Sequence, residues 1–221
     1  MQKIDKDYTK ILTTNYKKWV DALEATGKKH PLSKTYYDGI VMDLYRCQKG
    51  VCAYTERFLC PPSLYEARHW TNEGVYQIED PEEFTRTDHA GELEHFDPTL
   101  KENQYWLWDN LFMIDARVNS LKSNKSVVAY LKPDSLDYTT EQWLDYDEQT
   151  HRFVPNTELD EEKAKEVQYM IDHVFYLNHG VIRIDRQEYV EKIKMKKTFL
   201  QPYKIDRYFT AIKVCLEDFS L

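Results

Sequence analysis

Residues 91–125 read GELEHFDPTLKENQYWLWDNLFMIDARVNSLKSNK, and the order of residue types in this stretch decides the fold. Leu93 to Phe96 is a short extended run, and Asp97-Pro98 stops it, because proline has no N–H to give a strand ladder. Trp108 to Asn124 reads as a loop entering a helix, with Trp106, Trp108, Leu111, Met113 and Ile114 as core. Glu94 and His95 are neighbours on the short strand; Asn110 follows fifteen positions after His95, and Asn119 nine after that. Hydrolysis of a phosphodiester needs a base for the attacking water and a divalent cation on the scissile phosphate. A strand carrying Glu94 and His95, folded against a helix carrying Asn119, can supply both. The oxygen-rich ligand set suits Mg2+ or Mn2+ better than zinc. Asn110 is of a type that caps helices and pins loops, whereas Asn119 falls inside a helix, where Asn is unfavourable without a task.

Working outward, Ile11, Leu12, Tyr16, Trp19, Val20 and Leu23 recur at helical spacing between Tyr8 and Ala25. A second helix is predicted over Ser33 to Gln48, capped by Ser33 and ended by Gly50. Val51 to Leu59 reads as extended, and Gly74 to Asp80 as a weak strand. Asp160 to Leu177 is an amphipathic helix with Val167, Met170, Ile171, Val174 and Phe175 on one face, and a further helix begins near Ile184. The order helices, strand–strand–helix, helices predicts an α+β class: a small ββα nucleus embedded in a predominantly helical single domain. Three regions are expected, a helical one over 1–50, the core over 51–132, and a second helical one over 133–221 that packs on the core.

The chain has 221 residues, only 6 of them Gly, against 17 Tyr, which argues against disorder and against a Gly-rich phosphate loop. No apolar run approaches the roughly 20 residues of a membrane span, and the start, MQKIDKDYTK, has no apolar core of a signal peptide. With four cysteines in no disulfide-dense pattern, the expectation is a cytoplasmic protein without a membrane partner. A net charge of −8 does not exclude a polyanion partner, because phosphate binding needs local positive stripes. The charges come in blocks: twelve acids against two bases from Trp70 to Asp115, then Arg117, Lys122, Lys125 and Lys132 without an acid up to Lys132. A second basic run, Lys192 to Lys197, has a solvated helix face as its default reading.

Taken together, Glu94-His95-Phe96-x-Pro98, Trp108-x-Asn110-Leu111 and Asn119-x-x-Lys122 resemble the HNH endonuclease family, whose nucleus is a ββα-metal hairpin plus helix. The resemblance implies that Glu94 and Asn119 are metal ligands, His95 the general base and Asn110 the loop residue. Lys122 stands where the family pattern has a lysine, and Lys122 and Lys125 are the expected nucleic-acid contacts. Cys52-Ala53-Tyr54-Thr55-Glu56, with Tyr176-Leu177-Asn178 and Arg186 further on, is similar to a bacterial HNH subgroup in anti-phage defence that includes the nuclease component of Septu-type systems. The implied activity is Mg2+- or Mn2+-dependent cleavage of nucleic acid, DNA before RNA, with an ATPase as partner subunit. Members of that subgroup carry two Cys-x-x-Cys pairs for zinc; here Cys52 remains, and Thr55, Asp115 and Val118 fill the other positions, so no structural zinc is expected. The lost cysteines also leave open a catalytically relaxed HNH scaffold that binds a partner.

Overall fold

A computed structural model of the chain describes residues 1–78 and 89–216. Helices α1 (Thr14–Ala25) and α2 (Tyr37–Gln48) lie where helical spacing places them, with Tyr16, Val20, Ile40 and Leu44 buried. Helix α2 starts four residues later than Ser33 because the Ser33 hydroxyl lies 3.2 Å from that of Thr35 rather than over the helix end. Its end is set by Lys49 (φ 57°) and Gly50 (φ 75°), both left-handed. A Cβ on Gly50 would collide with the Cys60 carbonyl oxygen, so the turn requires glycine.

Val51 to Leu59, predicted as extended, is a tight reversal in which only Val51 and Phe58 pair. The turn closes on itself through Cys52 N–H to Arg57 O (2.8 Å) and Glu56 N–H to Cys52 O (3.0 Å). Of the strand predicted over Gly74 to Asp80, Tyr76 alone pairs, with Trp70, and residues 79 and 80 lie outside the described residues.

Strand β1 (Gly91–His95) pairs antiparallel with β2 (Leu111–Asp115), Glu94 opposite Phe112 and His95 opposite Leu111. Helix α3 (Ala116–Lys122) follows β2 directly, its first turn capped by Asp115, which accepts from Arg117 N–H (2.9 Å). The sequence alone places 111–115 in the loop that enters the helix, and the structure makes them a strand. These residues are all buried, so the alternation that marks a half-exposed strand is missing. The free side of β2 is satisfied by Gln48, whose amide accepts from Met113 N–H (2.9 Å) and donates to Met113 O (2.7 Å). Ala53 N–H adds a bond to the same carbonyl at 3.0 Å.

After α4 (Thr140–Trp143) comes an unpredicted hairpin, β3 (Leu144–Asp147) with β4 (Arg152–Pro155). Strands of four residues in an acidic block carry too little pattern to be read. Helix α5 (Glu161–Tyr169) is capped by Asp160 and widens into a π turn over Met170–Val174, burying the predicted apolar face. Helix α6 (Gly180–Thr198) begins four residues before Ile184, and α7 (Phe209–Cys215) packs on it through Val190, Ile193, Tyr208 and Ile212. The main core joins Tyr16 and Leu44 from the first helices to Phe112 and Val118 of the hairpin and helix, and to Val167 and Phe175. The class is α+β, helix outweighing strand, with two small sheets. Among the described residues no helix is long and apolar enough to cross a membrane.

Candidate active site

The strand–strand–helix unit β1–β2–α3 carries Glu94, His95 and Asn119, and Asn110 lies in the turn just before β2. On β1 the side chains alternate, so Glu92 and Glu94 share a face and meet α3. Asn119 Nδ2 donates to Glu92 Oε2 (2.9 Å), and one turn further along α3 the Lys122 ammonium bonds Glu94 Oε1. Lys122 also donates to the carbonyl of His95 at 3.1 Å. Glu94 and Lys122 are 1% and 0% exposed, so this is a buried ion pair. Burial pushes the Glu94 carboxyl up, and Lys122 opposes it.

His95 turns the other way, toward the loop between the strands. Its Nε2 lies 2.8 Å from the carbonyl oxygen of Tyr105, and the two rings are 4.5 Å apart. A carbonyl only accepts, so Nε2 carries the proton and Nδ1 holds the lone pair, with no hydrogen-bond partner among the described residues. Burial, with Lys101 and Lys122 nearby, holds the imidazole down at about 4. At neutral pH the ring is therefore uncharged, with the Nδ1 lone pair not used by the protein.

Asn110 is the stitch of the loop. Its amide accepts from Asp97 N–H (2.8 Å) and donates to Asp97 O (2.9 Å), which fixes the chain just beyond His95. Asp97 in turn accepts from Thr99 N–H at 2.8 Å and opens the turn at Pro98. Asn110 thus holds geometry, with both ends of its amide engaged by Asp97.

The four positions that the resemblance assigns to zinc cysteines converge. Cys52 Sγ accepts from Thr55 N–H and from Asp115 N–H, both at 3.4 Å, and Asp115 accepts from Val118 N–H at 3.4 Å. Arg57 closes the group with an ion pair to Asp115 at 3.0 Å. Glu56 reaches away from it to accept from Thr210 N–H (2.8 Å), tying the turn to α7. Tyr176-Leu177-Asn178 and Arg186 are likewise structural: Asn178 clamps both backbone polar groups of Phe153 (2.9 and 2.7 Å), and buried Arg186 donates to Leu177 O and His151 O.

Of the two lysines expected on the nucleic acid, Lys122 is turned inward. Lys122 has no surface to offer a phosphate and serves as the charge partner of Glu94. Lys125 is half-buried, and its ammonium donates to Leu121 O (2.6 Å) and Tyr176 Oη (2.7 Å) at the surface end of α3. The residues that sequence reasoning missed are Glu92, visible as the alternate carboxylate on the same strand face, and a cleft beside Tyr105 that holds Lys29 and Lys101. No sequence signal joins Lys29 to Lys101.

Glu92, Glu94 and the Asn119 amide oxygen are oxygen donors of the kind Mg2+ or Mn2+ takes, but Asn119 meets Glu92 while Glu94 is engaged by Lys122. Among the described residues no group of three or more His, Cys, Asp or Glu is arranged to hold a metal on its own. No protein-family model matches the chain, and no curated protein matches it either.

Proposed function

We propose that the chain is a metal-dependent endonuclease of the HNH type, hydrolysing phosphodiester bonds of nucleic acid, DNA before RNA. The observation that carries this reading is His95: a neutral imidazole, proton fixed on Nε2 by the Tyr105 carbonyl, Nδ1 left to accept, one residue from a carboxylate that faces Asn119's helix. The contact of the Cys52 turn with Asp115, at the start of α3, supports the resemblance through a second pair of positions.

His95 would take the proton of the attacking water at Nδ1, and Tyr105 O would keep the ring oriented as charge develops on it. Glu94, with Asn119 and Glu92, would hold Mg2+ or Mn2+, which when bound supplies charge neutralisation at the phosphate and the leaving oxygen. Lys122 favours the ionised form of Glu94 against the effect of burial and bonds it from α3, and Asn110 keeps His95 in register with the loop. The same resemblance extends the proposal to an effector of prokaryotic anti-phage defence with an ATPase partner subunit.

A nicking assay on supercoiled plasmid, with Mg2+ or with chelator, tests the reading. Cleavage should require the cation, and His95→Ala should lower the rate by on the order of a hundred- to ten-thousand-fold while the variant stays folded. A wild-type rate in His95→Ala would end the assignment. One observation favours a second reading, a relaxed scaffold that binds a partner: an ammonium already sits on the carboxylate that a metal needs. Plasmid left intact by the wild-type protein with both Mg2+ and Mn2+ would make that the better account.

A further inference from the structure

Beside His95, and apart from the carboxylates and amides of the hairpin and helix, lies an open cleft of about 640 Å3 lined by Lys29, Leu32, Lys101, Glu102, Tyr105 and Asn124, among others. Its size is that of a pocket for one small organic unit. Lys101 has no ion-pair partner among the described residues, and Lys29 meets Glu102 only at 3.5 Å, in an exposed pair that water and salt readily loosen. Leu32 is 71% exposed at the rim. The cleft is joined to the reaction centre by Tyr105, whose carbonyl holds His95 and whose ring lies against it. Its floor is the turn starting at Pro98, in the loop that Asn110 pins at Asp97.

We propose that this cleft seats an unpaired nucleotide next to the scissile phosphate, with Lys29 and Lys101 on the backbone and Tyr105 and Leu32 against the base, so that the substrate is single-stranded or locally unpaired nucleic acid. Two cations alone would suit any phosphate backbone, duplex or not. An aromatic ring and an exposed aliphatic side chain between them have use only for a base whose face is free, and in a duplex that face is hidden in the stack. Of the lysines that the sequence offered for this task, Lys122 is buried on Glu94 and Lys125 is engaged by Leu121 O and Tyr176, outside this cleft, so Lys29 and Lys101 supply the grip here from two segments far apart in the chain.

The inference rests on the nuclease reading for the position of the scissile bond, and the test separates the two. A fluorescent single-stranded oligonucleotide and its duplex are titrated with the full chain in chelator at several salt concentrations, and cleavage of each is then measured with Mg2+. The Lys29→Gln/Lys101→Gln variant should weaken single-strand binding by on the order of tenfold at moderate salt and flatten the log–log salt dependence by about 1.4, about 0.7 for each phosphate no longer neutralised. It should raise KM and leave kcat nearly unchanged. Lys165→Gln, on the exposed face of α5, should change none of these. Duplex bound as tightly as single strand overturns the unpaired-base assignment. A cleaving wild type whose double variant keeps the same KM and salt slope overturns the cleft and spares the nuclease. Binding that depends on the two lysines, without cleavage, supports the cleft and removes the nuclease. Neither binding nor cleavage removes both.

Discussion

Protonating His95 should cost the folded protein about 3 kcal/mol. An ordinary imidazole titrates near 6.5 and this one is held at about 4 by burial, which outweighs the hydrogen bond to Tyr105 O. At about 1.4 kcal/mol per pH unit, that gap sets the magnitude. As pH falls below 6.5 the unfolded chain takes up the proton and the folded one does not, so stability is complete above 6.5 and drains away between 6.5 and about 4. His30, His89 and His151 are also held below the usual range by burial and contribute to the same window, so the wild-type curve alone does not isolate His95. The comparison is with His95→Gln, whose amide can still donate to Tyr105 O but does not titrate. Urea unfolding followed by tryptophan fluorescence at a series of pH values should give a wild-type slope steeper than the variant's by up to about 1.4 kcal/mol per pH unit within the window. An imidazole resonance of His95 should stay in its neutral position down to about pH 5. Parallel stability curves, or a resonance that titrates near 6.5, would mean that the ring is solvated, and the neutral-base argument would fall with it.

Asn110→Ala should destabilise by about 2 kcal/mol, because it removes two hydrogen bonds and leaves both backbone groups of Asp97 to find water, as a denaturation midpoint will report. Lys122→Met should cost about 3–5 kcal/mol by leaving Glu94 buried and uncompensated, and adding Glu94→Gln should recover most of it; a single variant as stable as wild type would show that the pair is solvated. A strong chelator should leave the thermal midpoint unchanged while stopping cleavage, because amide donors to Cys52 Sγ and the Arg57–Asp115 pair hold the turn that zinc would otherwise hold. Cys52→Ala should lower that midpoint, and melting on chelation of the wild type would refute the zinc-free account.

What the sequence by itself determined follows local rules: the helices at Tyr16, Ile40 and Val167 through apolar spacing, the stop of β1 before Asp97-Pro98 through proline chemistry, and the Gly50 stop through a backbone angle that glycine tolerates. The order Glu94, His95, Asn110, Asn119 was legible for the same reason, since neighbours on a strand and turns of a helix keep their relation wherever the element goes. Only the tertiary structure decided what depends on distant partners. Strand β2 is buried on both faces and finished by Gln48, so its pattern is silent in one dimension. Lys122 looked like any basic residue on a helix, and it became the internal partner of Glu94 because β1 packs beneath that turn of α3. Lys29 and Lys101 carry no signal apart, and folding sets them on one cleft. Charge and hydrogen-bond pairing act through space over a few ångströms, so residues that answer one another across the chain are joined only when the fold brings them together.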